Sequence, residues 1–301
     1  MNLVCPVDGS EFSQWALESL AAIERSALES VTLLHVADTH RVTLVGAPRT
    51  MSYRGASAAL EKAGTEVLKR AVSQVSVALS ESAHKPHTKI KTVLLKGAVA
   101  SRILECSDRQ GSRLIVMGTR GMSDVKGFLM GSTARKVSAL ASCPVLIVKR
   151  PVKTFSRILL AVDGSKHSRA AAKFLRSGFL PETATVTIGT AVESPVTDFA
   201  ARYLSDRQIE AMTRAVRERA TDLVTTFREE FLKDGYTVTT EVRMRHVVDA
   251  MMSLATEEHS DLLVVGSRGL SHQERLHLGS VSEALLKYAP CAVLVVRGAR
   301  A

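Results

Sequence analysis

Cysteine is scarce: Cys5, Cys106, Cys143 and Cys291 are scattered through 301 residues with no CxxC pair and no Cys/His cluster. That spacing argues against a zinc site, and the apolar or small neighbours predict buried thiols in a reducing compartment. Aromatic residues make up only 4%, too few for the stacking platforms of single-strand nucleic-acid binders. Apolar runs such as Leu262–Val265 and Val293–Val296 fall far short of the ~18–20 residues that cross a bilayer. Met1-Asn2-Leu3 leads directly into strand-like sequence, so a cytoplasmic chain with no signal peptide or membrane anchor is expected. Neither G-x4-G-K-[ST] nor a G-x-G-x-x-G behind a strand occurs, which disfavours a Walker NTPase and a typical dinucleotide binder.

Core-forming residues are plentiful. With 46% hydrophobic and 23% charged residues, disorder and collagen-like structure are excluded, and the length suits two domains of ~100–200 residues. The net charge is +10, of which residues 1–150 carry +8. That excess is spread thinly, so a nucleic-acid partner is disfavoured while a small anionic ligand fits.

The chain is an internal duplication. Pro6-Val7-Asp8-Gly9-Ser10 recurs as Ala161-Val162-Asp163-Gly164-Ser165, and Ser13 and Ala16 are echoed by Ser168 and Ala171. The stretch Leu114–Gly121 returns as Leu262–Gly269, and Cys143–Val148 as Cys291–Val296. The matching aspartates lie 155 positions apart and the matching glycines 148 apart, so the second copy is shorter between those landmarks. The loss is expected in the loop after the second strand.

Short β-branched runs alternate with longer helical stretches. In the first copy strands are expected at Leu3–Val7, Val31–Ala37, Thr88–Leu95, Leu114–Gly118 and Val145–Lys149, and helices at Ser13–Arg25, Ala56–Ser82, Val99–Arg109 and Thr133–Leu140. In the second, strands are expected at Arg157–Val162, Ala184–Val192, Tyr236–Met244, Leu262–Gly266 and Ala292–Arg297, with the longest helix near Ser205–Leu232. Nearly continuous apolar strands separated by helices imply a parallel sheet covered on both faces. The expected fold class is α/β, two five-stranded doubly wound domains in tandem, residues 1–150 and 155–301, with residues 151–154 as a linker broken by Pro151.

After the fourth strand of each copy stands a glycine array of the form G-x2-G-x9-G-S: Gly118, Gly121, Gly131-Ser132, and Gly266, Gly269, Gly279-Ser280. Glycines let backbone N–H groups approach an anion, and Gly131-Ser132 and Gly279-Ser280 would open a helix whose amides point at the same spot. Asp8 and Asp163 close the first strand of each copy and would face this array across the crevice where strand order reverses. Each carboxylate suits ribose hydroxyls; each could equally be a turn or N-cap residue bonded to nearby amides. Arg120 and Arg268 could clamp phosphate or be solvated loop residues. His272, Glu274 and His277 resemble a metal cluster but form no closed ligand set, so a solvated loop is favoured. Trp15 and Leu17 fit a core stripe, and Arg214–Arg219 a wet helix face.

The V-D-G-S start, the glycine array and the C-P-V-L-I-V strand, in order and repeated, resemble the universal stress protein family in a tandem two-domain form. The resemblance implies a five-stranded 3-2-1-4-5 fold of the adenine nucleotide alpha hydrolase-like type, pairing of domains through their fifth strands, and ATP binding in members that keep the array. Carried over by position, Pro6, Val7, Asp8, Val36 and Ala37 would surround adenosine, and Met117, Gly118, Arg120, Gly121, Gly131, Ser132 and Thr133 the ribose and phosphates. The second copy supplies Val162, Asp163, Ala191, Val192, Val265, Gly266, Arg268, Gly269, Gly279, Ser280 and Ser282. Two positions depart from the pattern: Ala134 replaces the hydroxyl found at Ser282, and Arg245-His246 replaces Gly97. If His246 bordered the phosphates, the second site would bind more tightly on acidification; otherwise it points into solvent at its helix start.

Three functions follow. The leading one is an ATP-binding sensor or regulator of a stress response, with ATP alone or with Mg or Mn, an unidentified protein partner, intramolecular domain pairing and homodimerisation through other surfaces. The others are a nucleotide-free interaction module and a slow ATP hydrolase with water activated near Asp8 or Asp163. No dedicated base or arginine finger is identifiable, so no catalytic residue is assigned.

Overall fold

The computed structural model describes residues 1–24, 28–39, 53–80, 88–122, 129–270 and 278–298, and the chain divides into two compact units, Met1–Thr154 and Phe155–Ala301. The first runs β1 (Asn2–Pro6), α1 (Glu11–Glu18), β2 (Ser30–Ala37), α2 (Tyr53–Ser80), β3 (Lys89–Lys96), α3 (Val99–Arg109), β4 (Leu114–Gly118), α4 (Ser132–Leu140) and β5 (Val145–Val148). The second runs β6 (Arg157–Ala161), α5 (Lys166–Phe174), β7 (Thr185–Val192), a short α6 (Asp198–Ala201), α7 (Asp206–Lys233), β8 (Thr237–Met244), α8 (Val247–Glu257), β9 (Leu262–Gly266), α9 (Ser280–Tyr288) and β10 (Ala292–Val296).

Within the first unit β3 pairs β2, β2 pairs β1, β1 pairs β4 and β4 pairs β5, all parallel, with Leu3 opposite both Val31 and Leu114. The second unit repeats this through β8, β7, β6, β9 and β10, with Ile158 opposite Val186 and Leu262. Both sheets therefore have the order 3-2-1-4-5, with the sequence in which strands are added reversing between the first and fourth. That reversal opens a crevice at the carboxyl ends.

Burial separates the strands into two kinds. Every residue of β4, β5, β9 and β10 is buried, and each Leu, Ile or Val shut away from water contributes about 1.5–3 kcal/mol. The edge strands β3 and β8 have no fully buried residue, and Lys89, Lys91 and Lys96 on β3 are exposed, charges that discourage further strand addition. Cys5, Cys106 and Cys291 are buried, whereas Cys143 is only partly so, with its sulfur 3.4 Å from Ser107 Oγ. Among the described residues no helix is long and apolar enough to cross a membrane.

Two expectations need correction. The first helix ends at Glu18 and gives way to one tighter turn, Ser19–Ala22, where the buried Ser19 hydroxyl accepts from the amide of Val152 at 3.0 Å. The shortening of the second copy lies mainly elsewhere than expected: residues 81–88 join α2 to β3 where only 234–236 join α7 to β8, while the connections after β2 and β7 differ by little. Trp15 is only half-buried, whereas Leu17 is buried, and Arg214, Arg217, Glu218 and Arg219 are exposed.

Candidate functional site

Each site begins in the turn between the first strand and first helix of its unit. Gly9 and Gly164 sit at φ +82 and +80, the left-handed region that only glycine enters without strain. This reverses the chain so that Ser10 and Ser165 cap α1 and α5, accepting from the amides of Ser13 and Ser168 at 3.2 Å. Asp8 Oδ1 accepts from the amide and hydroxyl of Ser10 at 3.0 and 2.6 Å, and Asp163 Oδ1 from the amide of Ser165 at 2.9 Å. Both aspartates are thus turn residues. They are also more than that: Asp8 Oδ2 accepts from the amide of Met122 at 2.8 Å, and a Cβ on Gly269 would lie 2.8 Å from Asp163 Oδ2, so each carboxylate abuts the glycine loop.

The glycines divide into two kinds. A Cβ at Gly118 would stand 2.5 Å from the Phe12 carbonyl oxygen, and one at Gly266 2.8 Å from the His167 backbone. These two glycines serve close approach of the first helix to the fourth strand. At Gly279 the nearest atom to an added Cβ is 3.4 Å away, which leaves ordinary room. Gly131 and Gly279 occupy the N-cap positions of α4 and α9, and neither helix start receives a side-chain cap. The first-turn amides of both helices therefore carry no side-chain acceptor from the cap, and the partial positive end of each helix faces the crevice.

The arginines of the arrays are not solvated loop residues. Both are half-buried, and Nε of Arg120 and of Arg268 is shut from water with no hydrogen-bond partner. The Arg120 guanidinium lies 4.3 Å above the Phe12 ring, which meets Trp15 edge-on at 4.9 Å. A buried N–H donor left without an acceptor costs about 1–3 kcal/mol, and each of these arginines also lines the crevice of its unit, where its guanidinium brings positive charge. With the uncapped helix starts, this donor set fits a phosphate-bearing ligand.

In the first unit a cavity of about 240 Å³ is lined by Pro6, Val7, Asp8, Val36, Met117, Gly118, Arg120, Gly121 and Thr133 among the expected residues; Ala37, Gly131 and Ser132 lie outside its lining. Ser13, Leu34, Asp38, Val99, Ile103, Met122 and Ala134 also line it, without having been expected. In the second unit a cavity of about 190 Å³ gathers Val162, Asp163, Ala191, Val265, Gly266, Arg268, Gly269, Gly279, Ser280 and Ser282, and omits Val192. Ala161, Ser168, Gly189, Thr190, Val247, Met251 and Val281 join it. The recurrence of Ser13 as Ser168 in the sequence was the available signal for that pair; the helix residues Val99 and Ile103, matched by Val247 and Met251, had none.

The two departures from the family pattern resolve into structural roles. Ser282 is buried and donates to the Gly266 carbonyl at 2.7 Å, so its hydroxyl hydrogen is committed to the loop. Gly97 takes φ +121 and donates to the Ala37 carbonyl at 3.0 Å, while His246 is exposed, 3.7 Å from the Asp249 carboxylate, and lies outside the cavity lining. His272, Glu274 and His277 lie outside the described residues.

A doubly wound α/β unit with a crevice at its switch point, present twice, defines the class of this protein. The model of the universal stress protein family matches residues 1–149 and again 154–297, and the chain belongs to that family. It is 34% identical over 152 residues to a universal stress protein of Methanocaldococcus jannaschii, MJ0531, a match spanning 50% of this chain and 84% of the relative. It is 30% identical over 152 residues to the universal stress protein YxiE of Bacillus subtilis, covering 49% of this chain and 98% of that one. The crystal structure of a universal stress protein from Archaeoglobus fulgidus aligns over 99% of this chain and 96% of its own, with a TM-score of 0.69 and 21% identity, a likeness of fold.

Proposed function

We propose that the chain binds an adenine nucleotide, ATP, in one or both crevices and works as a sensor or regulator in a stress response. In this reading the phosphates meet the uncapped starts of α4 and α9 and the guanidinium groups of Arg120 and Arg268, Asp8 and Asp163 accept from ribose, and the base packs on apolar walls that include Val36 and Ile103 in the first unit and Ala191 and Met251 in the second. Magnesium or manganese, when bound, would neutralise phosphate charge. The observation that carries the reading is an arginine and the first turn of an uncapped helix lining one crevice, Arg120 with Thr133 in the first unit and Arg268 with Ser280 in the second.

Native mass spectrometry of the purified chain with added ATP tests it directly. One or two bound nucleotides per chain are expected, and no mass shift at millimolar ATP would overturn the proposal. A second reading, a nucleotide-free interaction module, draws on Gly118 and Gly266, whose missing Cβ already serves helix packing. It requires that the same experiment show no nucleotide.

A further inference from the structure

Beneath the glycine array the two copies differ at one position. The first places Phe12 there, its ring under the Arg120 guanidinium; the second places His167, buried in the first turn of α5. His167 Nδ1 accepts from the amide of Gly298 at 2.8 Å and lies 3.2 Å from Ser267 Oγ. An amide N–H can only donate, so Nδ1 holds a lone pair and the neutral ring carries its proton on Nε2. Three segments meet at this ring: the start of α5, the loop Gly266-Ser267-Arg268, and the chain just past β10. The joint is close-fitting, since a Cβ on Gly298 would stand 3.2 Å from Nδ1 and one on Gly266 2.8 Å from His167 Cβ.

We propose that His167 is a proton-operated latch: neutral, it fastens Gly298 beside the second glycine loop, and on protonation it releases Gly298 and loosens the loop that packs there, a response the first unit lacks because Phe12 stands in its place. A proton on Nδ1 would face the Gly298 N–H, two donors with no acceptor between them, and would leave Ser267 Oγ able only to accept. The groups facing the ring are Arg268 from the glycine loop, Lys166 from its own helix, Arg297 beside Gly298, and Asp163 from the turn after β6. Burial first, then the three cations, hold His167 below the ordinary imidazole range, with Asp163 opposing them. The positive end of α5 acts in the same sense as the cations. The unfolded chain takes the proton near ~6.5 and the folded chain resists it, so stability from this site is full above that pH and falls as pH drops through the window below it.

Amide hydrogen exchange on the full, nucleotide-free chain at pH 7.5 and 5.5, each rate referred to an unstructured peptide at the same pH, reads the latch. Protection at Gly298, Ser267 and Gly279 should fall about tenfold or more at the lower pH, the scale of one lost buried hydrogen bond. The corresponding amides of the first unit, Thr119 and Gly131, should keep theirs. His167→Asn retains an acceptor oxygen near the place of Nδ1 and cannot titrate, so it should keep protection at both pH values. Equal protection at both pH values in the parent chain, or the same acid loss in His167→Asn, would overturn the latch. A ring titration followed by NMR must also have its midpoint below ~6.5, at the acid end of the window over which protection falls; a midpoint at or above ~6.5 overturns it as well, whatever the variant does. No nucleotide enters the measurement, so a failure of ATP binding leaves this outcome readable.

Discussion

The Asp8 carboxylate and the Met122 amide lie 2.8 Å apart, although 114 residues separate them in the chain. One side chain thereby fixes the turn after β1 and the glycine loop after β4 at the same distance from each other. Asp8→Ala removes the acceptor of the Ser10 amide, the Ser10 hydroxyl and the Met122 amide together. Hydrogen bonds to a charged acceptor contribute about 1.5–3 kcal/mol when buried, and half-exposure lowers that, so a loss of about 1–2 kcal/mol is expected in urea unfolding. A midpoint unchanged from the parent chain would show that the strap carries no load.

Substituting the two packing glycines should separate them from the others. Gly118→Ala and Gly266→Ala each force a methyl against helix backbone at 2.5 and 2.8 Å, and overpacking of this kind costs about 1–3 kcal/mol or more. Gly279→Ala meets nothing closer than 3.4 Å and should lie within about 0.5 kcal/mol of the parent. Denaturant midpoints of the three variants rank them, and a Gly279 variant as damaged as the other two would contradict the assigned roles.

That tolerance makes Gly279 suitable for a binding test. ATP at a hundred times its dissociation constant should stabilise the folded chain by about 2.7 kcal/mol and raise its melting temperature. Gly131→Val combined with Gly279→Val places branched side chains at both uncapped helix starts and should abolish the ATP-dependent rise. Persistence of the full shift would remove these helix starts from the site.

Ser282 offers a sharper discrimination between a ligand contact and a structural one. Its hydroxyl donates to the Gly266 carbonyl, so Ser282→Ala should cost about 1 kcal/mol of stability and change ATP affinity less than about threefold. A phosphate contact would instead show as a tenfold or greater weakening in calorimetric titration with little loss of stability.

The repeat and the alternation of strands and helices could be read from the chain because they rest on local signals, short apolar strands, Asp-Gly-Ser turns and regularly spaced glycines, whereas the sheet order and most of the crevice lining came with the resemblance to a family. Val99, Ile103, Val247 and Met251 were invisible because a helix face turned toward a crevice carries the same apolar pattern as one turned toward the core. The close contacts of Gly118 with Phe12 and of Gly266 with His167 depend on how a helix seats on a strand far away in sequence, which no spacing records. The position of the shortening was misplaced because no recurring motif lies between the aspartate and glycine landmarks to anchor the alignment there. His246 attracted attention by charge and neighbourhood, whereas the histidine set beneath the glycine loop, His167, is marked in sequence only by standing where the other copy has Phe12.

Of the helices that start around the two crevices, four show two contrasting ways to begin. α1 and α5 are closed by their own serines, while α4 and α9 begin on glycine with no side chain over the first amides. Exchanging a serine cap for glycine costs a helix only a few tenths of a kcal/mol, so the open starts hardly weaken the empty protein. If the proposed nucleotide binds there, a chain built this way would fold without waiting for it, and its filled and empty forms would be free to follow the nucleotide concentration in its surroundings. A protein that needed the ligand in order to fold would instead respond by disappearing.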